Sequence, residues 1–107
     1  MKIVYIAHPI SGNVSENISD ILRIIRNINL SKEDVVPLSP YIGDCLAMDD
    51  NNPLERKRGI DNCIALINTG MFDELWLTGE RISFGMSEEI KLFKLLGKPI
   101  IDYTNKF

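Results

Sequence analysis

Glu89 is a carboxylate on the wrong side of a helix. It lies in Ser83-Phe84-Gly85-Met86-Ser87-Glu88-Glu89-Ile90, a run that reads as a loop entering a helix. On a helical wheel of residues 85–97, Met86, Ile90, Phe93 and Leu96 form one apolar stripe and Glu89 falls within it, while Glu88 points outward with Lys91. An inward carboxylate costs several kcal/mol unless something compensates. The spacing puts Glu89 on the first turn, where a helix N-terminus favours negative charge. Its chemistry is that of a nucleophile or a base beside a small-molecule crevice. The structural alternative is an acid that caps a loop or pairs with an arginine.

Other residues add to this or compete with it. Ser83 and Gly85 precede a helix and offer a hydroxyl and free backbone N–H groups, a combination that suits a phosphate. Ser83 serves equally as a simple N-cap, and the stretch lacks the lysine and spacing of a P-loop. Asp61 flanks an apolar helix stripe and either reaches a crevice or pairs with Arg58 one turn back. Tyr5 is a phenol in an apolar strand: core material, or a hydroxyl that orients Glu89. His8, the one histidine, ends that strand, but no serine or cysteine nucleophile accompanies it. Arg56 and Arg58 either counter a ligand phosphate or solvate a surface. Asp49-Asp50-Asn51-Asn52 lacks the ligand alternation, glycine and closing glutamate of a calcium loop and reads as a turn. No metal and no cofactor is expected.

The elements that must hold these residues alternate. Residues 2–8 read as a strand buried on both faces. A helix follows from about Ser15, its N-cap, to Asn29, with Ile18, Ile21, Leu22, Ile25 and Ile28 inward. Val35–Leu38 is a short strand whose Pro37 argues for an edge. Residues 39–52 form the longest irregular stretch. Pro53 opens a helix from about Leu54 to Asn68, with Ile60, Cys63, Ile64 and Ile67 inward and Gly70 as its stop. Glu74–Leu77 is a third strand, with Trp76 as core. The Glu89 helix ends at Leu96–Gly97, and residues 99–103 form a fourth strand.

This order predicts an α/β fold: a small three-layer, Rossmann-like or flavodoxin-like parallel sheet of about four strands, order 2-1-3-4. Its switch point lies between the first and third strands, so ligands bind beyond their carboxyl ends. Those ends are residues 8–13, which contain His8, Pro9, Ser11 and Gly12, and residues 78–85, which contain Gly79, Ser83 and Gly85. The Glu89 helix starts at the same crevice.

The bulk numbers set the frame. A chain of 107 residues implies one domain spanning 1–107, and 45% hydrophobic with 25% charged residues is ordinary globular composition. The net charge of −3 and the lack of a basic block give no footprint for nucleic acid, so an anionic ligand needs local donors. Cys45 and Cys63 have no metal spacing and read as reduced thiols of a cytoplasmic protein. No apolar run is long enough to span a bilayer, and residues 1–7 are too short for a signal sequence.

Val4-Tyr5-Ile6-Ala7, Asp61, Ser83-x-Gly85-x-x-x-Glu89 and Gly97-Lys98-Pro99-Ile100 together resemble the nucleoside 2-deoxyribosyltransferase superfamily, over almost the whole chain. They resemble more closely the small bacterial and phage proteins grouped beside it as a domain of unknown function. The resemblance implies that Glu89 is the nucleophile that attacks the anomeric carbon of a nucleoside or nucleotide. It implies that Tyr5 orients Glu89, and that Asp61 positions the sugar and manages the proton on the departing base. This is retaining chemistry, for which paired carboxyls lie roughly 5–5.5 Å apart. Water as acceptor makes a hydrolase and a second base makes a transferase. Serine at position 83, where nucleotide hydrolases contact a 5′-phosphate, tilts the substrate towards a nucleoside monophosphate. His8-Pro9 replaces a small Gly-Ser of those hydrolases, and Ser11 replaces a phosphate-binding arginine. The family often completes its sites across a dimer, which implies a homodimer or higher homo-oligomer. Two other functions compete: a nucleotide-binding or sensing module without turnover, and a purely structural domain.

Overall fold

The computed structural model describes residues 1–107. Eight elements follow in the order β1 (Lys2–Ala7), α1 (Val14–Ser31), β2 (Val35–Leu38), α2 (Tyr41–Ala47), α3 (Pro53–Asn68), β3 (Glu74–Leu77), α4 (Phe84–Leu95) and β4 (Ile100–Asp102). The four strands form one parallel sheet in the order β2-β1-β3-β4. This is the α/β architecture and strand order expected from the alternation of elements.

Strand alternation divides β1 between two cores. Val4 and Ile6 point to one face and pack with Ile24 and Ile28 of α1, Val35 and Trp76. Tyr5 and Ala7 point to the other and pack with Ile67 of α3, Met86 and Phe93 of α4, Phe72, Leu75 and Leu77. The result is three layers: α1, the sheet, then α3 with α4. Each large apolar side chain fully buried here contributes roughly 1.5–3 kcal/mol. At the carboxyl end of the sheet, the Ala7 carbonyl accepts both the backbone N–H and the hydroxyl of the fully buried Thr78, each at 2.8 Å. β1 and β3 are thereby fastened where their loops diverge, and that divergence opens a crevice.

Several local expectations change. Helix α1 begins at Val14 and is capped by Asn13, whose side chain accepts from the Glu16 N–H, so Ser15 is inside the helix. Its buried stripe is Ile18, Ile21, Ile24 and Ile28, with Leu22 turned to solvent. The stretch 39–52 is not irregular throughout, because it contains α2. Gly59 makes room for that helix: a β-carbon there would stand 2.6 Å from the Tyr41 ring. Pro53 is already helical, and the Asn52 side chain caps α3. Asp49 accepts from the Asn51 N–H at 2.9 Å, a turn leading into α3.

Candidate functional site

Two concavities open at the carboxyl end of the sheet, one on each face. On the α3–α4 face a crevice of about 440 Å³ is lined by side chains that include Tyr5, His8, Ser11, Tyr41, Arg56, Cys63, Ser83 and Glu89. On the α1 face a polar groove of about 690 Å³ is lined by His8, Pro9, Ser11, Gly12, Asp20, Gly79, Arg81 and others. The crevice is the candidate site. It has the size of a small-molecule pocket, a mostly apolar wall and a few convergent polar groups.

Glu89 is the centre of it. Helix α4 begins at Phe84, capped by Ser83, so Glu89 belongs to the second turn and not the first. The macrodipole effect fades within one turn, which leaves the carboxyl with little help from the helix. No cation pairs with it either: the ion pairs of this helix stop at Glu88 and Lys91, 3.2 Å apart on the outer face. Loss of solvent pushes the partly buried Glu89 carboxyl up to about 7, and the polar influence of the nearby Tyr5 hydroxyl pulls it partly back. Tyr5 is held for this role. Its ring packs edge-on against Phe72 and Phe93, with centroids 5.0 and 5.8 Å away. Burial and the adjacent Glu89 charge raise the phenol well above its ordinary range, so it stays a donor.

Cys63 completes the group. It lies on the buried face of α3 and lines the same crevice as Tyr5 and Glu89, and burial raises its thiol to about 11, with the Tyr5 hydroxyl acting in the opposite direction. A thiol that stays protonated is no nucleophile. Only its place on the inner stripe of α3 marked it in the sequence, and tertiary packing alone brings it to the carboxyl.

The remaining candidates divide. The Ser83 hydroxyl accepts from the Met86 N–H at 3.2 Å and borders the crevice, next to the exposed Gly85. Ser11 borders it too and accepts a hydrogen bond from Arg56 Nη1. His8 is buried with both nitrogens engaged: Nδ1 lies 2.7 Å from the Pro9 carbonyl oxygen and Nε2 lies 2.7 Å from Asp20 Oδ2. Its ring contributes to the wall but has no nitrogen left for a ligand. Pro9, Gly12 and Gly79 belong to the groove on the opposite face. Gly79 is required where it is, since its φ is +87° and a β-carbon would stand 2.7 Å from Pro9 and 3.2 Å from the His8 ring.

Asp61 is a correction. Its side chain is half exposed and pairs with Lys57 at 2.7 Å, on the outside of α3. It does not border the crevice. Arg58, its expected partner, instead donates to Asn62 at 3.2 Å. The residues that reasoning from sequence undervalued are Arg56 and Arg81, both of which border the crevice.

No helix is long and apolar enough to cross a membrane. Among known proteins, the family model described as a domain of unknown function (DUF7768) matches residues 2–103, so the chain belongs to that family. No curated protein and no solved structure matches it.

Proposed function

We propose that this member of the DUF7768 family cleaves or exchanges the N-glycosidic bond of a nucleoside or nucleoside 5′-monophosphate, with Glu89 as nucleophile. The observation that carries this reading is the Glu89 carboxyl: lining a crevice beyond β1 and β3, free of any cation, with the Tyr5 phenol in the same wall. The resemblance of Tyr5, Ser83-x-Gly85 and Glu89 to the nucleoside 2-deoxyribosyltransferases supports it.

In the first step a Glu89 carboxylate oxygen bonds to the anomeric carbon as the carbon–nitrogen bond breaks. The bonding electrons leave with the base, which takes a proton from solvent. In the second step water, or another base, attacks the same carbon and gives its proton to solvent as the glycosyl ester bond breaks, regenerating the carboxylate. Two inversions give net retention. Tyr5 keeps the carboxyl aimed at the sugar, and the apolar α3–α4 wall receives the base.

The test is incubation with a mixed pool of nucleosides and nucleoside monophosphates, followed by chromatography for free bases. Wild type releases base, and Glu89→Gln reduces release by roughly a thousandfold or more with the fold intact. Equal release by the two proteins rejects the reading. The outward position of Asp61 favours a second reading, a nucleotide-binding module without turnover, because it removes the expected second carboxylate from the crevice. That reading predicts a thermal shift with nucleotide and no product after long incubation.

A further inference from the structure

The crevice has two chemically distinct ends. Along α3 and α4 its wall is apolar, formed by Ile60, Ile64, Ile67 and Leu92. Near the end of β1 it is polar, and Arg56 dominates. Arg56 Nη1 donates to Ser11 Oγ and, at 3.3 Å, to Asp50 Oδ2. The Asp50 side chain is only 4% exposed. It also accepts from the Tyr41 hydroxyl and, at 3.8 Å, from the Cys45 thiol. Burial and the Asp50 contact raise the Tyr41 phenol far above its ordinary range, so it remains the donor of that pair.

A carboxylate enclosed to this degree needs partners. Those it has fix one nitrogen of a guanidinium at the mouth of the crevice. Both hydrogens of Arg56 Nη1 are used. Nε and Nη2, which carry the other three of the five N–H groups, have no partner in the protein. A guanidinium clamped by one nitrogen, with a neighbouring edge free, is arranged to meet two oxygens of one oxyanion. Other donors border the same crevice. Arg81 makes no ion pair, and the Ser83 hydroxyl accepts from Met86 while its own hydrogen has no protein acceptor. Two arginines and a hydroxyl match the charge and the three terminal oxygens of a phosphate monoester better than a single carboxylate.

We propose that Arg56 is the anion anchor of the crevice, that Asp50 is its positioning residue, and that the ligand is a phosphate monoester whose remainder lies along the apolar α3–α4 wall. The proposal rests on the glycosidic reading only in taking that remainder to be a nucleoside.

Calorimetric titration of the Glu89→Gln protein with thymidine and 2′-deoxyguanosine 5′-monophosphates, and with the matching nucleosides, tests it without turnover. The monophosphates bind about tenfold tighter or more, as expected for charge-assisted hydrogen bonds. Adding Arg56→Gln removes that advantage and leaves nucleoside affinity unchanged. Arg56→Lys, which keeps the charge without the planar edge, removes most of it and decides the matter should Arg56→Gln not fold. Asp50→Asn lowers the advantage part of the way, again without changing nucleoside affinity, a split that a merely structural role would not give. Equal affinity for nucleoside and monophosphate overturns the proposal. So does the absence of binding by any monophosphate, or an advantage that survives both Arg56 variants. If wild type binds in the expected pattern but releases no base, the glycosidic reading fails and the anchor stands. If nucleoside and monophosphate release base with equal kcat/KM, the anchor fails and the glycosidic reading stands.

Discussion

Asp20 and Glu89 are carboxylates on opposite faces of the same sheet end, and the fold treats them differently. Asp20, on α1, meets His8 Nε2 at 2.7 Å and Arg23 at 2.7 Å, and Arg23 in turn reaches the Phe107 carbonyl. Partial burial works against its charge, yet the bonds from His8 and Arg23 hold its carboxyl below the usual range. Glu89, on α4, has no cation and a raised pKa of about 7. The first carboxylate closes a structure. The second is kept in reserve at a cost in stability, which is how groups with a chemical task are commonly held. The lesson is that satisfaction, more than burial, separates a structural acid from a candidate reactive one.

The largest effect should come from pH acting on activity and stability together. If Glu89 attacks as the carboxylate, kcat/KM for base release rises about tenfold per pH unit below about 7 and levels off above it. Stability moves the other way. Because the folded pKa of Glu89 is raised from 4.5 to about 7, the unfolded chain loses this proton first as pH climbs. Folding therefore weakens between those values, by an upper bound of about 3 kcal/mol. Thermal melts from pH 4.5 to 8 should show Glu89→Gln gaining on wild type across that window. A constant difference would end the contrast with Asp20, whose lowered pKa has the opposite sign: its stabilisation is present above about 3.8, the unfolded value, and fades as pH falls through the folded one.

On the closed side, His8→Ala strands the Asp20 carboxylate and the Pro9 carbonyl, and should cost about 1–3 kcal/mol in urea unfolding. Loss of base release without that loss of stability would mean that His8 acts in the chemistry. On the open side, Tyr5→Phe keeps the aromatic packing and removes one hydroxyl. Base release should fall about tenfold while stability changes by less than about 1 kcal/mol. The smallest effect is that of Asp61→Ala. It breaks one exposed pair with Lys57 and should shift stability by less than about 0.5 kcal/mol, with base release nearly unchanged.

The sheet and its order were legible because β1 is apolar on both faces and the elements alternate, which leaves few ways to connect them. Glu89 was legible because a charge stands inside the stripe that Met86, Ile90 and Phe93 mark, although Phe84 and Leu95 of α4 and Leu96 just beyond it are exposed and carry no such signal. Helix α2 was not, since it buries none of its residues and so carries no stripe; Pro40 and Gly43 read as loop. The partner of Asp61 was not either. Lys57 and Arg58 are both one turn away, and side-chain geometry chose between them. Arg56 belongs to no motif. Its place depends on Ser11 and Asp50, which no periodicity brings near it.

Tyr5, Cys63 and Glu89 come from the first strand, the long third helix and the last helix, and they come together only where the sheet meets the α3–α4 layer. No fragment that omits any of those segments can assemble the trio. Turnover, if present, would therefore report on the integrity of the whole molecule: it should vanish on heating in step with the cooperative melt, and no nicked or partly folded species should retain a trace of it.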